Sequence, residues 1–405
     1  MNFDILRQKI LEKAIRGELV PQLESEPEVV QIDRCLANAP FSIPKKWRWA
    51  YFSDVIDLIS GRDLEKDKIL TVNNGIPYIT GASQIQDGNI IVNRWTEHPV
   101  VVSKKGDILL TCKGTIGKIA QNNIGEIHIA RQIMAIRPSE KISIGYITYF
   151  LYYVKNFLVE KAKSMIPGID RKTLLSMPIP LPPIEEQHRI TIRLEGLFKD
   201  LSCAEKSFAD LLTFTKIIKN RVLNKAIRGR LVPQLESEPV VNQIGDIPDN
   251  CPFRLPGKWK WVKLGAVFSL KAGKFISASE IKDSGAYPCY GGNGKRGYVD
   301  KFNREGRFPL IGRQGALCGN INLVDGKFYA TEHAVVADGG NLVDPDCAAI
   351  FLKALNLNQY ATKTAQPGLS VKRISKTPFP LAPIQEQRRI VKKVQDLLLK
   401  ITSIK

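Results

Sequence analysis

From Ile190 onward, apolar residues recur in alternating steps of four and three: Ile190, Leu194, Leu197, Leu201, Ala204, Phe208 and Leu211, resuming after Thr215 at Ile218 and Val222. Such steps put the apolar side chains along one seam of a helix, the heptad pattern of a coiled coil. Pro182-Pro183 stands where that helix starts, because proline costs nothing at the first helical position. Gly229 follows the last apolar pair, Ala226-Ile227, as a stop, with Pro233 beyond it. A helix from Ile184 to Arg228 is about 65 Å long at ~1.5 Å per residue. The same steps return at the C-terminus in Ile390, Val394, Leu397, Ile401 and Ile404, and Leu6 and Ile10 at the N-terminus correspond to Ile218 and Val222. The two ends of the chain thus read as two halves of a second long helix. Laid antiparallel to the central one, they make a pseudo-twofold coiled-coil pair.

Between the helical segments lie two stretches of another character. "IPYITG" and "GDILLTCKGTIGKIA" in the first, and "AYPCYGG" and "GRFPLIGRQGALCGNINLV" in the second, are short β-like runs between glycines. Each is followed by a helical stretch, "YITYFLYYVKNFLVEKAK" or "AAIFLKALNLNQYA", then a Pro-Gly turn and a proline-rich strand. The fold class expected is mixed α/β (α+β), two similar domains joined by the helix pair. The expected division is a helix over 1–18, a linker over 19–40, a domain over 41–180, the central helix over 181–230, a linker over 231–252, a second domain over 253–380 and a helix over 381–405.

The chain repeats itself. Ala14 to Ile32 and Ala226 to Ile244 agree at sixteen of nineteen positions, at an offset of 226 − 14 = 212. Lys46-Trp47-Arg48-Trp49 returns as Lys258-Trp259-Lys260-Trp261 at the same offset; "PIPLPPIEEQHRI" (178–190) returns as "PFPLAPIQEQRRI" (378–390) at an offset of 200. A period of this size means two related domains rather than a solenoid. The frame is nearly duplicated, whereas the domains it carries agree only at landmarks. The tryptophan pairs read as core packing. The "PQLESEP" stretches have two readings, a docking surface for partners or an exposed linker that ends a helix. Two nearly identical copies favour docking slightly, since two identical partners would want two identical surfaces.

Charge adds a partner class. The 405 residues hold 59 Lys and Arg against 40 Asp and Glu, a formal net charge of +19, which points to nucleic acid. No run reaches the ~18 apolar residues of a membrane helix, and the start does not read as a signal peptide, so no membrane partner and a cytoplasmic location are expected. Seven scattered cysteines without a CxxC suggest reduced thiols rather than a disulfide frame or a zinc site.

Traces of catalysis fail on inspection. "LPPI" (181–184) lacks the preceding Asp or Asn and the following aromatic of an adenine-methyltransferase loop. Pro248-Asp249 with Glu280-Ile281-Lys282 matches the string of a nuclease motif, but Asp249 lies in a linker and its repeat counterpart is Ala37. "GGNGKRG" and "GTIGK" lack phosphate-loop spacing, and His98, His128, His188 and His333 form no metal-ligand pair.

Taken together, the starts Pro44-Lys45-Lys46-Trp47-Arg48-Trp49 and Pro256-Gly257-Lys258-Trp259-Lys260-Trp261, "GDILLTCKGTIGKIA", the exits "MPIPLPPIEEQHRI" and "TPFPLAPIQEQRRI", and the two-domain, two-helix symmetry resemble the specificity subunit of a type I restriction–modification system over essentially the whole chain. The resemblance implies that each globular part is a target recognition domain reading one half of a split site in double-stranded DNA. It implies that the helices act as a spacer and dock two methyltransferase subunits, with restriction subunits joining the full complex. The S-adenosylmethionine would belong to the methyltransferase, so this chain would hold no cofactor and be no enzyme. Two rivals are a single-chain restriction–modification enzyme of which this is the recognition part, and an interaction scaffold or RNA-binding protein.

The DNA contacts expected are Lys113, Thr115, Lys118, Arg131, Gln132, Arg171 and Lys172 in the first domain. In the second they are Lys274, Lys295, Arg296, Arg313, Gln314, His333, Lys372 and Arg373. Arg pairs bidentately with guanine and Gln with adenine, whereas Lys suits phosphate. A solvated surface residue is the bland alternative at each.

Overall fold

The computed structural model describes residues 2–30, 36, 39–162, 168–315, 317–362 and 367–403. Ile32, Ala37, Ile404 and Pro167, the proline of the first Pro-Gly turn, lie outside them. The chain forms two compact units, Met1–Phe208 and Ala209–Lys405.

In the first unit, α1 spans Phe3–Ile15, and Asn2 caps it by accepting from the N–H groups of Asp4 and Ile5 at 3.1 and 3.2 Å. Those donors have no partner within the helix, so a side-chain acceptor there is stabilising. Helices α2 (Ile144–Lys161), α3 (Arg171–Leu175) and α4 (Ile184–Ile227) follow, the last running on into the second unit. Helix α1 lies antiparallel on the front of α4, as expected: Phe3 meets Phe208 at 6.2 Å between ring centroids, while Arg7, one turn on, pairs with Glu205 at 2.5 Å. Ile190, Leu194 and Leu201 of the seam are buried, but Ala204 is exposed. The Arg7–Glu205 ion pair stands at that level, so the contact there is polar.

Strand Arg48–Tyr51 pairs antiparallel with Pro178–Leu181, so the domain begins and ends on one two-stranded ladder. Within it, strands Ile56–Ser60, Ile133–Pro138, Ile108–Thr111 and Ile119–Gln121 form an antiparallel sheet in that order. A second sheet runs Trp95–Thr96, Ile76–Ile79, Ile127–Ile129, Val102–Ser103, with its central pair parallel. Trp47, Phe52, Tyr146 and Phe150 fill the main core with Ile15 of α1 and Leu194 of α4. The domain is therefore packed onto the helix pair and does not hang from it by a loop.

The second unit contains the rest of α4, then α5 (Leu264–Val267), α6 (Pro345–Leu355), α7 (Val371–Ser375) and α8 (Ile384–Thr402). Val222, Ala226 and Ile227 of α4 share one buried cluster with Ile390 and Val394 of α8 and with Trp259. The ladder Lys260–Lys263 with Pro378–Leu381 repeats the first domain's neck. Both sheets repeat as well. One runs Ser269–Ala272, Ala334–Asp338, Phe308–Gly312, Ile321–Val324; the other runs Gly294–Val299, Tyr287–Gly291, Lys327–Ala330, Arg304–Glu305, again with a parallel central pair. Duplication thus reaches through the domains, further than the shared landmarks in the sequence indicate.

The two "PQLESEP" segments are tied down identically. Arg189 of α4 grips Glu26 at 2.7 Å, and Arg389 of α8 grips Glu238 at 2.8 Å, with the carboxylate side chains 5% and 4% exposed. Lys46 donates to the carbonyls of Leu23, Glu24 and Glu26, and Lys258 to those of Leu235, Glu236 and Glu238. Internal bonding therefore accounts for the identity at Glu26 and Lys46, leaving Leu23, Glu24 and Ser25, with Leu235, Glu236 and Ser237, identical and exposed.

Candidate nucleic-acid interface

The shared hydrogen bonds make the domains comparable residue by residue. The N–H of Cys112 donates to the carbonyl of Gln132, and that of Arg313 to the carbonyl of His333. The Arg62 N–H donates to Ile129, and the Lys274 N–H to Ala330. Ile169 caps Cys112 as Leu369 caps Arg313. Hence Arg62-Asp63, Cys112-Lys113 and Arg131-Gln132 correspond to Lys274-Phe275, Arg313-Gln314 and Glu332-His333. In each domain these three loops meet where the two sheets join.

Glycines permit the close approach. At Gly61 a Cβ would stand 2.2 Å from the Ala130 carbonyl oxygen, and at Gly273 it would stand 2.0 Å from that of Ala330. Side chains at those positions would push the loops apart, so glycine there is a packing requirement.

In the first domain Lys113, Arg131 and Arg171 line one cavity of about 780 Å³ together with Lys161, which the sequence reading missed. The missed residue is one basic position on an otherwise ordinary helix, and only the fold brings it to the cavity. Arg131 is exposed and held by Asp63: Nε lies 2.7 Å from Oδ2, and the Arg131 N–H donates to Oδ1 at 3.1 Å. Gln132 is exposed and its amide oxygen covers Gly81, where a Cβ would come within 2.3 Å. Thr115 is exposed in the turn after strand Ile108–Thr111. Lys172 is exposed on α3 beside Arg171. Two expected contacts have internal employment. Lys118 donates its ammonium to the carbonyls of Ala82 and Ile85, both at 2.8 Å, and Arg171 donates to the Leu58 carbonyl at 2.6 Å.

In the second domain Arg296, Gln314 and His333 come together around a cavity of about 330 Å³, with Asn293 beside them. Lys274 is exposed next to them, its backbone bridged to Thr331. Arg313 is turned inward, donating to the carbonyls of Glu332 at 3.1 Å and Leu369 at 3.4 Å. His333 Nε2 lies 3.0 Å from Glu332 Oε1. Lys295 stands over the Tyr298 ring at 3.7 Å. Arg373 lines a different hollow with Lys376, and Lys372 is exposed on α7. Not all the expected contacts therefore share one surface.

Chemistry elsewhere is quiet. His128 is buried between the carbonyls of Val101 and Arg62, and burial pushes its imidazole below the ordinary value. Among the described residues no group of three or more His, Cys, Asp or Glu could hold a metal, and no helix is long and apolar enough to cross a membrane.

Comparison with known proteins assigns the family. A profile described as the type I restriction modification DNA specificity domain matches residues 44–207 and 256–405. The type I restriction enzyme EcoprrI specificity subunit of Escherichia coli is 30% identical over 360 residues, covering 84% of each chain. The MjaVIII specificity subunit of Methanocaldococcus jannaschii is 27% identical over 261 residues, 60% of this chain and 54% of that one. A solved chain from a type I R-M system shares the fold at a TM-score of 0.69 and 18% identity, covering 90% of this chain and 93% of the other. The HsdS subunit from Thermoanaerobacter tengcongensis does so at 0.57 and 19%, covering 91% and 93%. The chain belongs to the type I restriction–modification specificity-subunit family, and its task is the recognition of DNA sequence.

Proposed function

We propose that each domain reads one half of a bipartite, asymmetric site in double-stranded DNA, and that the helices set the gap and dock two methyltransferase subunits. The carrying observation is that the two domains share strand order and loop placement but present different side chains. Asp63, Arg131 and Gln132 stand in one where Phe275, Glu332 and His333 stand in the other. Like frames with unlike tips suit two unlike half-sites. The exposed, duplicated Leu23-Glu24-Ser25 and Leu235-Glu236-Ser237 are the surfaces suited to two identical partners. Restriction subunits join the larger complex in the cytoplasm. The chain is itself non-catalytic and carries no cofactor; S-adenosylmethionine belongs to the methyltransferase.

A methylation map tests this reading. The chain is co-expressed with its methyltransferase subunit in a methylation-free host, and modified adenines are sequenced. A split motif with unlike halves and a fixed gap is expected. Exchange of residues 253–380 for those of another specificity subunit should change one half alone. Modification without a split motif would overturn the reading.

A further inference from the structure

Phe275 is 75% exposed, although its backbone is firmly held. The N–H groups of Gly273 and Lys274 donate to the carbonyls of Ala334 and Ala330, both at 3.0 Å. The Tyr329 hydroxyl donates to the Phe275 carbonyl at 3.1 Å. The next residue, Ile276, is buried at 4% exposure, packed with Cys289 and Val299. The chain thus takes one apolar side chain inward and leaves the adjacent, larger one in water. A single exposed apolar side chain is ordinary in itself. Phe275 is set apart by standing on one of the three loops that meet where the two sheets join, on a backbone fixed by those hydrogen bonds.

The fold does not demand an aromatic ring at this place. The corresponding residue in the first domain is Asp63, paired with Arg131. The second domain has Glu332 at the arginine's position, so the pair is absent there and the ring replaces it. Cations stand on the neighbouring loops: Lys274 precedes it, and Lys274 is bridged to Thr331, two residues from His333, which lines a cavity with Arg296 and is paired with Glu332. A flat apolar group near cations fits a nucleotide, whose base takes the ring on its face while its backbone phosphate takes the charges.

We propose that Phe275 stacks on a base of the half-site read by the second domain, entering the duplex at a base step, a contact without counterpart in the first domain. This rests on the DNA-reading function proposed above. Unstacking is least costly at pyrimidine–purine steps, so that half-site should contain one.

The complex of the full chain with its co-expressed methyltransferase subunit is used to select from random-sequence duplex DNA, and the enriched duplex becomes the probe. Phe275→Ala should bind it about tenfold more weakly, and Phe275→Trp should retain binding. Selection repeated with Phe275→Ala should lose sequence information in one half only. The added indole of Phe275→Trp should be quenched by the selected duplex beyond the change shown by the five native tryptophans. Binding by Phe275→Ala within twofold of wild type, or an unquenched indole, overturns the proposal while leaving the DNA-reading function standing. Loss of the methyltransferase subunit with unchanged DNA affinity overturns it in favour of a protein contact. If wild type enriches no sequence, the DNA-reading function itself falls, and the proposal with it.

Discussion

Glu186 and Glu386 show what single residues do beneath the duplicated frame. Each is fully buried in the first turn of a helix, and Glu386 accepts from the Trp259 indole N–H at 2.9 Å. Burial raises both carboxyls above their ordinary value, the indole and a glutamine amide opposing it. Because the folded value lies above the unfolded one, the protonated form is favoured by folding. That contribution is full below the ordinary value of 4.5 and is lost as pH rises through the raised one. The double variant E186Q/E386Q should therefore gain thermal stability relative to wild type as pH goes from acidic to neutral, read as the difference between the two unfolding midpoints. A constant difference would show that neither carboxyl titrates with folding. None of this is legible in sequence, where a glutamate in a first helical turn reads as an exposed partner of the helix dipole. The tryptophan opposite is legible as core, but what it faces is not.

At the scale of elements, the ends of α1 and α4 are set by glycine. Gly17 and Gly229 have φ of +75° and +63°, and a Cβ there would come 2.3 Å from Cγ of Pro44 or 2.4 Å from Cγ of Pro256. Two costs coincide, a left-handed backbone and a rigid ring in the way. Gly17→Ala should lower the stability of the first unit by about 1–3 kcal/mol, measured by denaturant unfolding. The long helix and its stops were readable because heptad spacing and glycine each carry a local signal. The short helices α3 and α7 were not. Five residues give no periodicity, and their caps, Asp170 and Ser370, are ordinary turn residues until the structure shows them accepting from Thr173 and Arg373. The shared strand order was also hidden. Between Trp47 and Pro178 the offset drifts from 212 to 200, and what repeats is burial along each strand, such as Ile108–Thr111 against Phe308–Gly312, and not residue identity.

For the whole molecule, net charge points to nucleic acid but not to where it is met. Lys113 and Lys118 are five residues apart and look alike in sequence. The structure leaves Lys113 exposed on a cavity and binds Lys118 to two carbonyls. In the assembled complex, Lys113→Met should reduce the salt slope of DNA binding by about one unit, whereas Lys118→Met should lower thermal stability and leave the slope alone. Equal slopes in both variants would remove Lys113 from the interface. The candidate contacts were legible as residue types near glycine-rich turns. Their separation into outward and inward groups depends on carbonyls that no spacing rule supplies.

Each domain also enters and leaves on neighbouring strands, Arg48 opposite Leu181 and Lys260 opposite Leu381. Topologically each is an inset closed at its neck, so its two ends are already joined by a ladder before anything outside is considered. Such an inset can be reopened at a surface turn and resealed at the neck, giving a circular permutant with the same strand order. It can also be exchanged whole for a domain that offers the same packing face to the helices, leaving their path unchanged. New recognition can then arise by transplanting a domain instead of rebuilding a protein.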